Sequence, residues 1–180
     1  MQKIILAGYG GQGMLLCGQV LAFAAMKDGF HSTWLPTYGP EMRGGAAACF
    51  VVVSDKTIGS PVVKTADLIA VMSQPAFDRY CNSAVSGGYV LYNSELVTVT
   101  EKRADIQYVA VEFSSLAMEL GDLKVANMLV LGCLNKLLSC LSMSAIQEGI
   151  IDKFSSKGSE LVDLNMKAVK MGMEVVDKLS

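Results

Sequence analysis

Two glycine-rich stretches in the first fifty residues carry residue types that hold anionic groups. The first is Gly8-Tyr9-Gly10-Gly11-Gln12-Gly13, whose glycines match the spacing G-x-G-x-x-G. Between a strand and a helix, such a turn lets a phosphate approach the backbone, where the free N–H groups of the helix start bind it. Gln12 adds an amide that both donates and accepts hydrogen bonds. We therefore expect a phosphate or another anion near residues 10–14.

A dinucleotide site needs an acidic residue that this sequence lacks at the required place. In the dinucleotide fingerprint, that acid lies at the end of the second strand and binds the ribose. Here the position falls near Leu35 and Pro36, and Asp28 comes too early in the chain. NAD is therefore disfavoured. The turn is left to bind a different phosphate-bearing ligand, to contact a partner, or simply to pack tightly.

The second stretch, at 38–45, combines recognition groups with backbone constraints. Its glycines permit unusual backbone angles, and Pro40 stiffens its centre. Tyr38 offers an aromatic face, Glu41 an acceptor and Arg43 a planar donor fork. These groups together are typical of a binding loop. There are three other interpretations: an ion pair of Glu41 or Arg43 holds the loop, the loop docks into another subunit, or it is a plain loop without a role. The candidate binding residues of the two stretches are Gly8, Gly10, Gly11, Gln12, Gly13, Tyr38, Gly39, Pro40, Glu41, Arg43, Gly44 and Gly45.

No set of catalytic groups accompanies these stretches. The only histidine is His31, inside the predicted second strand, where a packed or edge side chain is the ordinary role. The five cysteines are irregularly spaced without a C-x-x-C pair, so neither a zinc site nor an iron–sulfur cluster is predicted. Cys49 lacks a partner base and is interpreted as a strand-packing thiol. We therefore predict no catalytic residue and no metal site in this chain.

Apolar runs alternating with helical segments predict the α/β class. Pro36 is expected to end the second strand, and no helix precedes the third, which is therefore a candidate to run antiparallel. The predicted strands are 3–7, 30–35, 46–54, 66–72, 89–93 and 105–111. The predicted helices are 14–27, 75–84, one from Ser114 or Ser115 to about Gly121, 124–138, one from a capping box at Ser144 to about Phe154, and one from about Ser159. We expect a three-layer α/β/α Rossmann-like domain with a mostly parallel, mixed sheet of about six strands, in one domain over residues 1–180.

The composition of the chain favours a protein partner over nucleic acid or a membrane. Hydrophobic residues make up 52% of the chain and charged residues 18%, against roughly 25% charged in ordinary domains. A parallel sheet buried on both faces and an obligate subunit interface both favour such a composition. The net charge of −2 is scattered, so no nucleic-acid partner is predicted. The charge-free stretch 125–135 is shorter than a membrane span of about 20 residues, and no signal peptide is predicted, so we expect a cytoplasmic chain without membrane contact.

Several motifs that occur in a fixed order carry a resemblance to a known family. They are G-x-G-G-Q-G at 8–13, Y-G-P-E-x-R-G-G at 38–45, Ile58-Gly59-Ser60-Pro61-Val62, Gln74-Pro75-Ala76-Phe77, and Asn127 within a helical segment. In this order the motifs resemble the gamma subunit, or gamma domain, of 2-oxoacid:ferredoxin oxidoreductases. These enzymes act on pyruvate, 2-oxoglutarate, 2-oxoisovalerate or indolepyruvate, and the resemblance covers nearly the whole chain.

The resemblance implies a division of labour within a multisubunit oxidoreductase. The holoenzyme oxidatively decarboxylates a 2-oxo acid to an acyl-CoA and reduces ferredoxin. Alpha and beta subunits hold thiamine diphosphate with Mg, and iron–sulfur clusters belong to those subunits or to a small ferredoxin-like delta subunit. The gamma chain is implied to bind no cofactor alone, to be inactive alone, and to pack on the other subunits. In isolation it is a candidate homodimer.

The resemblance also supplies a candidate ligand for the two stretches. Coenzyme A carries phosphates, and Arg43 or the helix start at Gly13 has the donors to hold them. Contact with partner subunits alone is the rival role for the same residues. An autonomous Rossmann-like nucleotide-binding protein is the alternative function.

Overall fold

The computed structural model describes residues 1–38 and 46–179, which form six strands and six α-helices. The strands are β1 (Gln2–Tyr9), β2 (His31–Tyr38), β3 (Ala46–Ser54), β4 (Ala66–Val71), β5 (Ala84–Asn93) and β6 (Gln107–Val111). The helices are α1 (Met14–Lys27), α2 (Gln74–Tyr80), α3 (Phe113–Glu119), α4 (Ala126–Leu138), α5 (Met143–Phe154) and α6 (Ser159–Leu179). Short 3-10 turns cover Cys81–Ser83, Leu123–Val125 and Ser155–Lys157.

The six strands form one mixed sheet in the order β2-β3-β1-β4-β5-β6. β1, β4, β5 and β6 run parallel, whereas β3 is antiparallel to both of its neighbours, β1 and β2. The antiparallel third strand predicted from the missing helix is confirmed. β3 also separates β1 from β2, so the strands of the opening β-α-β unit are not neighbours in the sheet.

Helices cover both faces of the sheet, but unequally. On one face, α1, α3, α4, α5 and α6 bury alternate strand residues such as Leu6, Val51 and Leu91. On the other face, α2 and the connecting loops cover residues such as Ile5 and Ile69. The α/β class with helices on both sides is confirmed. Within the described ranges, no helix has the length and apolarity needed to cross a membrane.

Pro36 does not end the second strand, so that prediction is wrong. β2 continues to Tyr38, and Pro36 lies opposite Cys49 of β3. β2 is an edge strand, bonded to β3 on one side only. A proline without an N–H group is tolerated on an edge strand when that position faces away from the ladder.

Two predicted helix starts are wrong, because other residues provide the caps. α5 begins at Met143 and is capped by Ser142, whose hydroxyl accepts the N–H of Ala145 at 3.2 Å. Asp28 holds Ser142 through bonds of 2.5 and 2.6 Å, a contact with a distant residue that a local motif search does not detect.

α3 begins at Phe113, so Ser114 and Ser115 lie in its first turn rather than before it. The carboxylate of Glu95 accepts their N–H groups at 2.6 and 3.2 Å. A third boundary also differs. α2 ends at Tyr80, and Gly87 and Gly88 lie inside β5 rather than after a helix.

Two glycines bring the backbones of α4 and α6 into close contact in the core. A Cβ built on Gly132 would overlap the carbonyl oxygen of Val169, and one on Gly172 would overlap that of Leu129. The thiol of Cys133 donates to the carbonyl oxygen of Gly172 at 3.1 Å, which ties the same crossing. The two backbones therefore meet at a distance that only glycine permits.

Gly172→Ala is expected to lower the free energy of unfolding by about 2 kcal/mol, because the added methyl group forces α6 away from α4. Urea unfolding followed by circular dichroism measures this change. Gly59→Ala is the matched control, since nothing lies within 4 Å of a Cβ built there, and it should change stability by less than about 0.5 kcal/mol. Equal urea midpoints for the two variants would contradict the packing account.

Candidate site at the carboxyl edge of the sheet

The two glycine-rich stretches begin where β1 and β2 end. We call this side of the sheet, formed by the carboxyl ends of its parallel strands, the carboxyl edge. Tyr38 of β2 lies opposite Ala47 of β3, and Ala47 lies opposite Gly8 of β1. Gly8 and Tyr38, one from each stretch, therefore lie at the same end of the strands, with β3 between them. The other candidate residues of the second stretch lie outside the described residues: Gly39, Pro40, Glu41, Arg43, Gly44 and Gly45.

Gln12 fastens the glycine turn to the centre of the sheet. Its side-chain oxygen accepts the N–H of Tyr9 at 2.6 Å, and its side-chain nitrogen donates to the carbonyl oxygen of Met72 at 2.9 Å. Gly8 leaves the space for this amide, because a Cβ there would overlap the oxygen of Gln12. The amide does donate and accept as the sequence suggested, but its described partners are backbone groups of this chain.

The last glycine of the turn is fixed by Asn127 at the start of α4. Gly13 has a φ of +74°, and a Cβ on it would lie 2.5 Å from the side-chain nitrogen of Asn127. That nitrogen donates to the carbonyl oxygen of Gly13 at 3.1 Å. The side-chain oxygen of Asn127 is buried and has no hydrogen-bond partner among the described residues. A motif residue 114 positions away thus shapes the turn.

The remaining two glycines of the turn, Gly10 and Gly11, are exposed. Gly11 has a φ of +100° and open space where a Cβ would be, so backbone conformation rather than crowding requires glycine there. α1 starts directly after the turn, with no acidic residue in its first turn and no side-chain cap at Gly13 from a described residue. The N-terminus of α1 therefore keeps its preference for negative charge.

A cavity of about 310 Å³ opens beside the turn. It lies where the strand order reverses, because α1 leads from β1 towards β2 while β4, β5 and β6 extend the sheet on the other side. Ligands of open α/β sheets bind at this position. The cavity is lined by Gly11, Gln12, Met72, Asn93, Leu96, Ser114, Asp122, Leu123, Lys124 and Ala126.

Most of these lining residues were not found from the sequence. They follow β4, β5 and β6 or precede α4, and they belong to no motif that sequence reasoning recognised. The only available indication was their position after predicted strands, because carboxyl ends of parallel strands share one edge.

A hydrogen-bonded network holds the loop that carries Leu96. Asn93 is fully buried, accepts the N–H of Glu95 at 3.1 Å, and donates to the hydroxyl of Ser114 at 3.0 Å. The hydroxyl of Ser115 donates to Glu95 at 2.7 Å. Burial alone would raise the pKa of Glu95, but the bonds from Ser115 and Ser114 outweigh it and hold that pKa below its usual range. Glu95 is therefore an ionised structural group at neutral pH.

The cysteine thiols do not provide a nucleophile for this edge. Burial raises the pKa of Cys49 and of Cys133 to about 12, and that of Cys140 to about 11. Burial followed by the neighbouring Cys49 also raises the pKa of Cys17. Thiols in this range are protonated at neutral pH and unreactive. Within residues 1–38 and 46–179, no group of three or more histidine, cysteine or carboxylate side chains is placed to hold a metal ion.

Large apolar side chains stand exposed along the same edge. Tyr38 is 72% exposed, Leu123 53%, Leu96 49% and Tyr9 43%. They surround a turn whose glycines leave the backbone accessible. Exposed apolar groups close to accessible polar backbone are typical of a surface that contacts another protein.

Comparison with known proteins gives the family. The model of the family described as pyruvate ferredoxin/flavodoxin oxidoreductase matches residues 3–175. The chain belongs to that family. The family resemblance carried by the ordered motifs from Gly8 to Asn127 is therefore confirmed.

Two relatives match this chain over different shares of their own length. The ketoisovalerate oxidoreductase subunit VorA of Methanothermobacter thermautotrophicus is 36% identical over 174 residues, which are 96% of this chain and 36% of VorA. The chain thus spans little more than a third of that relative. The 2-oxoglutarate synthase subunit KorC of Methanocaldococcus jannaschii is 35% identical over 181 residues, covering 99% of this chain and 95% of KorC.

Solved structures agree with the fold. The gamma subunit of the keto/oxoacid ferredoxin oxidoreductase from Geobacter sulfurreducens matches with a TM-score of 0.85 and 31% identity, over 99% of both chains. The 2-oxoglutarate:ferredoxin oxidoreductase from Magnetococcus marinus shares the fold at a TM-score of 0.90 and 24% identity, over 99% of this chain and 31% of that chain. The same fold thus occurs both as a separate chain and within a longer one.

Gln12→Glu is expected to destabilise the protein by about 1–2 kcal/mol. A carboxylate still accepts from Tyr9 but cannot donate to Met72, so it sets an anion against a carbonyl oxygen. Amide hydrogen exchange should also accelerate in the turn at 9–13. Gln147→Glu, at an exposed position of α5, makes the same charge change as a control. An unchanged unfolding midpoint in Gln12→Glu would contradict the fastening role.

Proposed function

We propose that this chain is the gamma-type subunit of a 2-oxoacid:ferredoxin oxidoreductase. The observation that carries the proposal is its end-to-end match to KorC and to a solved gamma subunit of nearly equal length. The holoenzyme reaction is the oxidative decarboxylation of a 2-oxo acid to an acyl-CoA with reduction of ferredoxin. Nothing in the comparisons supports the alternative of an autonomous nucleotide-binding protein.

In this proposal the chain contributes surface rather than chemistry. Burial keeps the Cys49 thiol protonated, and the described residues hold no cluster of metal ligands. In the proposed complex, alpha, beta and delta subunits are the partners and hold thiamine diphosphate, Mg and the iron–sulfur clusters, and ferredoxin is reached through the complex. We propose that the chain acts in the cytoplasm, as a component of a ferredoxin-reducing enzyme.

The partner-facing surface is proposed to be the carboxyl edge of the sheet. Gln12 and Asn127 hold the turn in one conformation, so little conformational entropy is lost when a partner binds. Tyr38 and Leu123 supply exposed apolar area beside it. Such pre-ordered edges with aromatic anchors fit protein–protein contact.

Coenzyme A is the proposed ligand of the same edge in the assembled enzyme. The uncapped start of α1 at Gly13 favours negative charge, and Arg43 supplies a donor fork suited to phosphate. The candidate residues of both glycine-rich stretches are thus proposed to face coenzyme A, partner subunits, or both.

Reconstitution tests the function directly. The chain, mixed with the alpha, beta and delta subunits encoded in the same genome, should form a stable complex that reduces ferredoxin with a 2-oxo acid and coenzyme A.

Tyr38→Glu is expected to weaken the binding of the chain to those subunits about 30-fold, because a charge replaces an aromatic anchor. Met26→Glu is the control, since Met26 is 62% exposed on α1 and lies away from this edge. A fully active complex that lacks the chain would contradict the proposal.

Arg43→Ala should raise the KM for coenzyme A about tenfold in the reconstituted enzyme, because a charge-assisted hydrogen bond to phosphate is lost. Steady-state kinetics with varied coenzyme A measures it, and size exclusion confirms that the complex is intact. Arg79→Ala, at an exposed position of α2, removes the same charge elsewhere. Unchanged kinetics with intact assembly would overturn the coenzyme A contact, and loss of assembly would assign Arg43 to the partner interface instead.

A further inference from the structure

Part of the backbone of the outer strand β6 has no neighbouring strand to bond with. β6 ends the sheet and bonds to β5 along one side only. The carbonyl oxygens of Asp105 and Val111 accept from Gly87 and Ser94 on the β5 side. Because backbone groups alternate in direction along a strand, Gln107, Val109 and Val111 face β5. The N–H and C=O groups of Tyr108 and Ala110 therefore point away from the sheet.

β6 lacks two of the devices that usually protect an edge, a charged residue and a proline. Its five residues include neither a charge nor a proline, whereas the opposite edge strand β2 contains Pro36. Charged side chains, prolines and bulges are the ordinary means of preventing edge-to-edge pairing. The open backbone of β6 is therefore available for pairing with another strand.

The sequence of β6 is complementary to itself. We propose that two copies of this chain pair antiparallel through β6, about a two-fold axis at Val109, and so join their sheets. In that register, Tyr108 of one copy lies opposite Ala110 of the other, which sets a large side chain against a small one. The outward groups of these residues form four hydrogen bonds, two on each side of the axis. The contact is isologous and closes after two copies.

Charge also favours the antiparallel pair. Glu112 is exposed just after β6, and the segment 101–105 before β6 carries two acidic and two basic residues, Lys102 and Arg103 among them. Antiparallel pairing about Val109 places Glu112 of each copy opposite Ile106 of the other, beside Tyr108, whose ring centre lies 5.6 Å from the Lys102 ammonium group. Asp105 in that segment is already bound by Arg103, with an Nη2–Oδ2 distance of 2.7 Å. A parallel pair would instead place the two Glu112 carboxylates side by side.

The surface beside β6 supplies apolar area to the same contact. A groove of about 560 Å³ runs between β6 and the helices α4 and α6, lined by residues that include Val109, Leu137 and Leu179. Leu179 is 58% exposed. In the pair, the grooves of both copies lie on the same side of the joined sheet, so these apolar groups add to the strand contact.

Sedimentation velocity of the purified full chain tests the proposal. The wild type is expected at twice the 19.2 kDa of one chain. Ala110→Pro removes one outward donor from each copy and leaves the bonds to β5 intact, so the dimer dissociation constant should rise about 30-fold. Ala110→Lys is a second variant, in case the proline disturbs folding, and circular dichroism checks both. Leu35→Lys on the opposite edge strand is the control and should remain dimeric.

Two results would overturn the proposal. One is a wild-type chain that stays monomeric at high micromolar concentration. This result would also cover the case in which β6 pairs with another subunit, where its amides gain protection from hydrogen exchange only when that subunit binds. The other is an Ala110→Pro or Ala110→Lys variant that folds and dimerises as tightly as the wild type. The test uses the chain alone, so its outcome is independent of the reconstitution that tests the proposed function.

Discussion

The side-chain amide of Gln12 is the contact on which the candidate site depends. It bonds at once to the N–H of Tyr9, at the end of β1, and to the carbonyl oxygen of Met72, just after β4. These two strands are neighbours at the point where the strand order reverses. Each bond contributes about 1 kcal/mol net, and an unpaired buried group would cost more. The amide fits only because Gly8 has no Cβ.

A second side-chain amide, that of Asn127, holds the far side of the glycine turn. Asn127 occupies the space that a side chain at Gly13 would need, and bonds to its carbonyl oxygen. Two of the turn's glycines thus leave room for amides of the same chain. A fingerprint often associated with phosphates here has a structural basis of its own, and the resulting rigid edge suits the assembly role proposed above.

The sequence predicts elements well where local chemistry decides them. The glycine turn, α1, the antiparallel β3 and the long last helix all follow from composition, spacing and connection length. The predictions fail where a distant residue decides the outcome. Asp28 selects Ser142 rather than Ser144 as a helix cap, and Glu95 holds the start of α3. Pro36 stays in a strand because β2 is at an edge, which only the sheet order reveals.

The candidate site divides in the same way. Gly8, Gln12 and Gly13 were identified from spacing, but their partners Met72 and Asn127 are contacts over 60 and 114 residues. The cavity needs loops from several strands at one edge, so no single stretch of sequence contains it.

The central claim is that the carboxyl edge of the sheet faces partner subunits. Hydrogen–deuterium exchange, measured on the chain alone and within the reconstituted complex, tests this most directly. Assembly is expected to slow exchange at the glycine turn 9–13 and in the loops that carry Leu96 and Leu123, while exchange at the exposed end of α1 near Met26 stays unchanged. A complex that forms with unaltered exchange at all three edge segments would contradict the account.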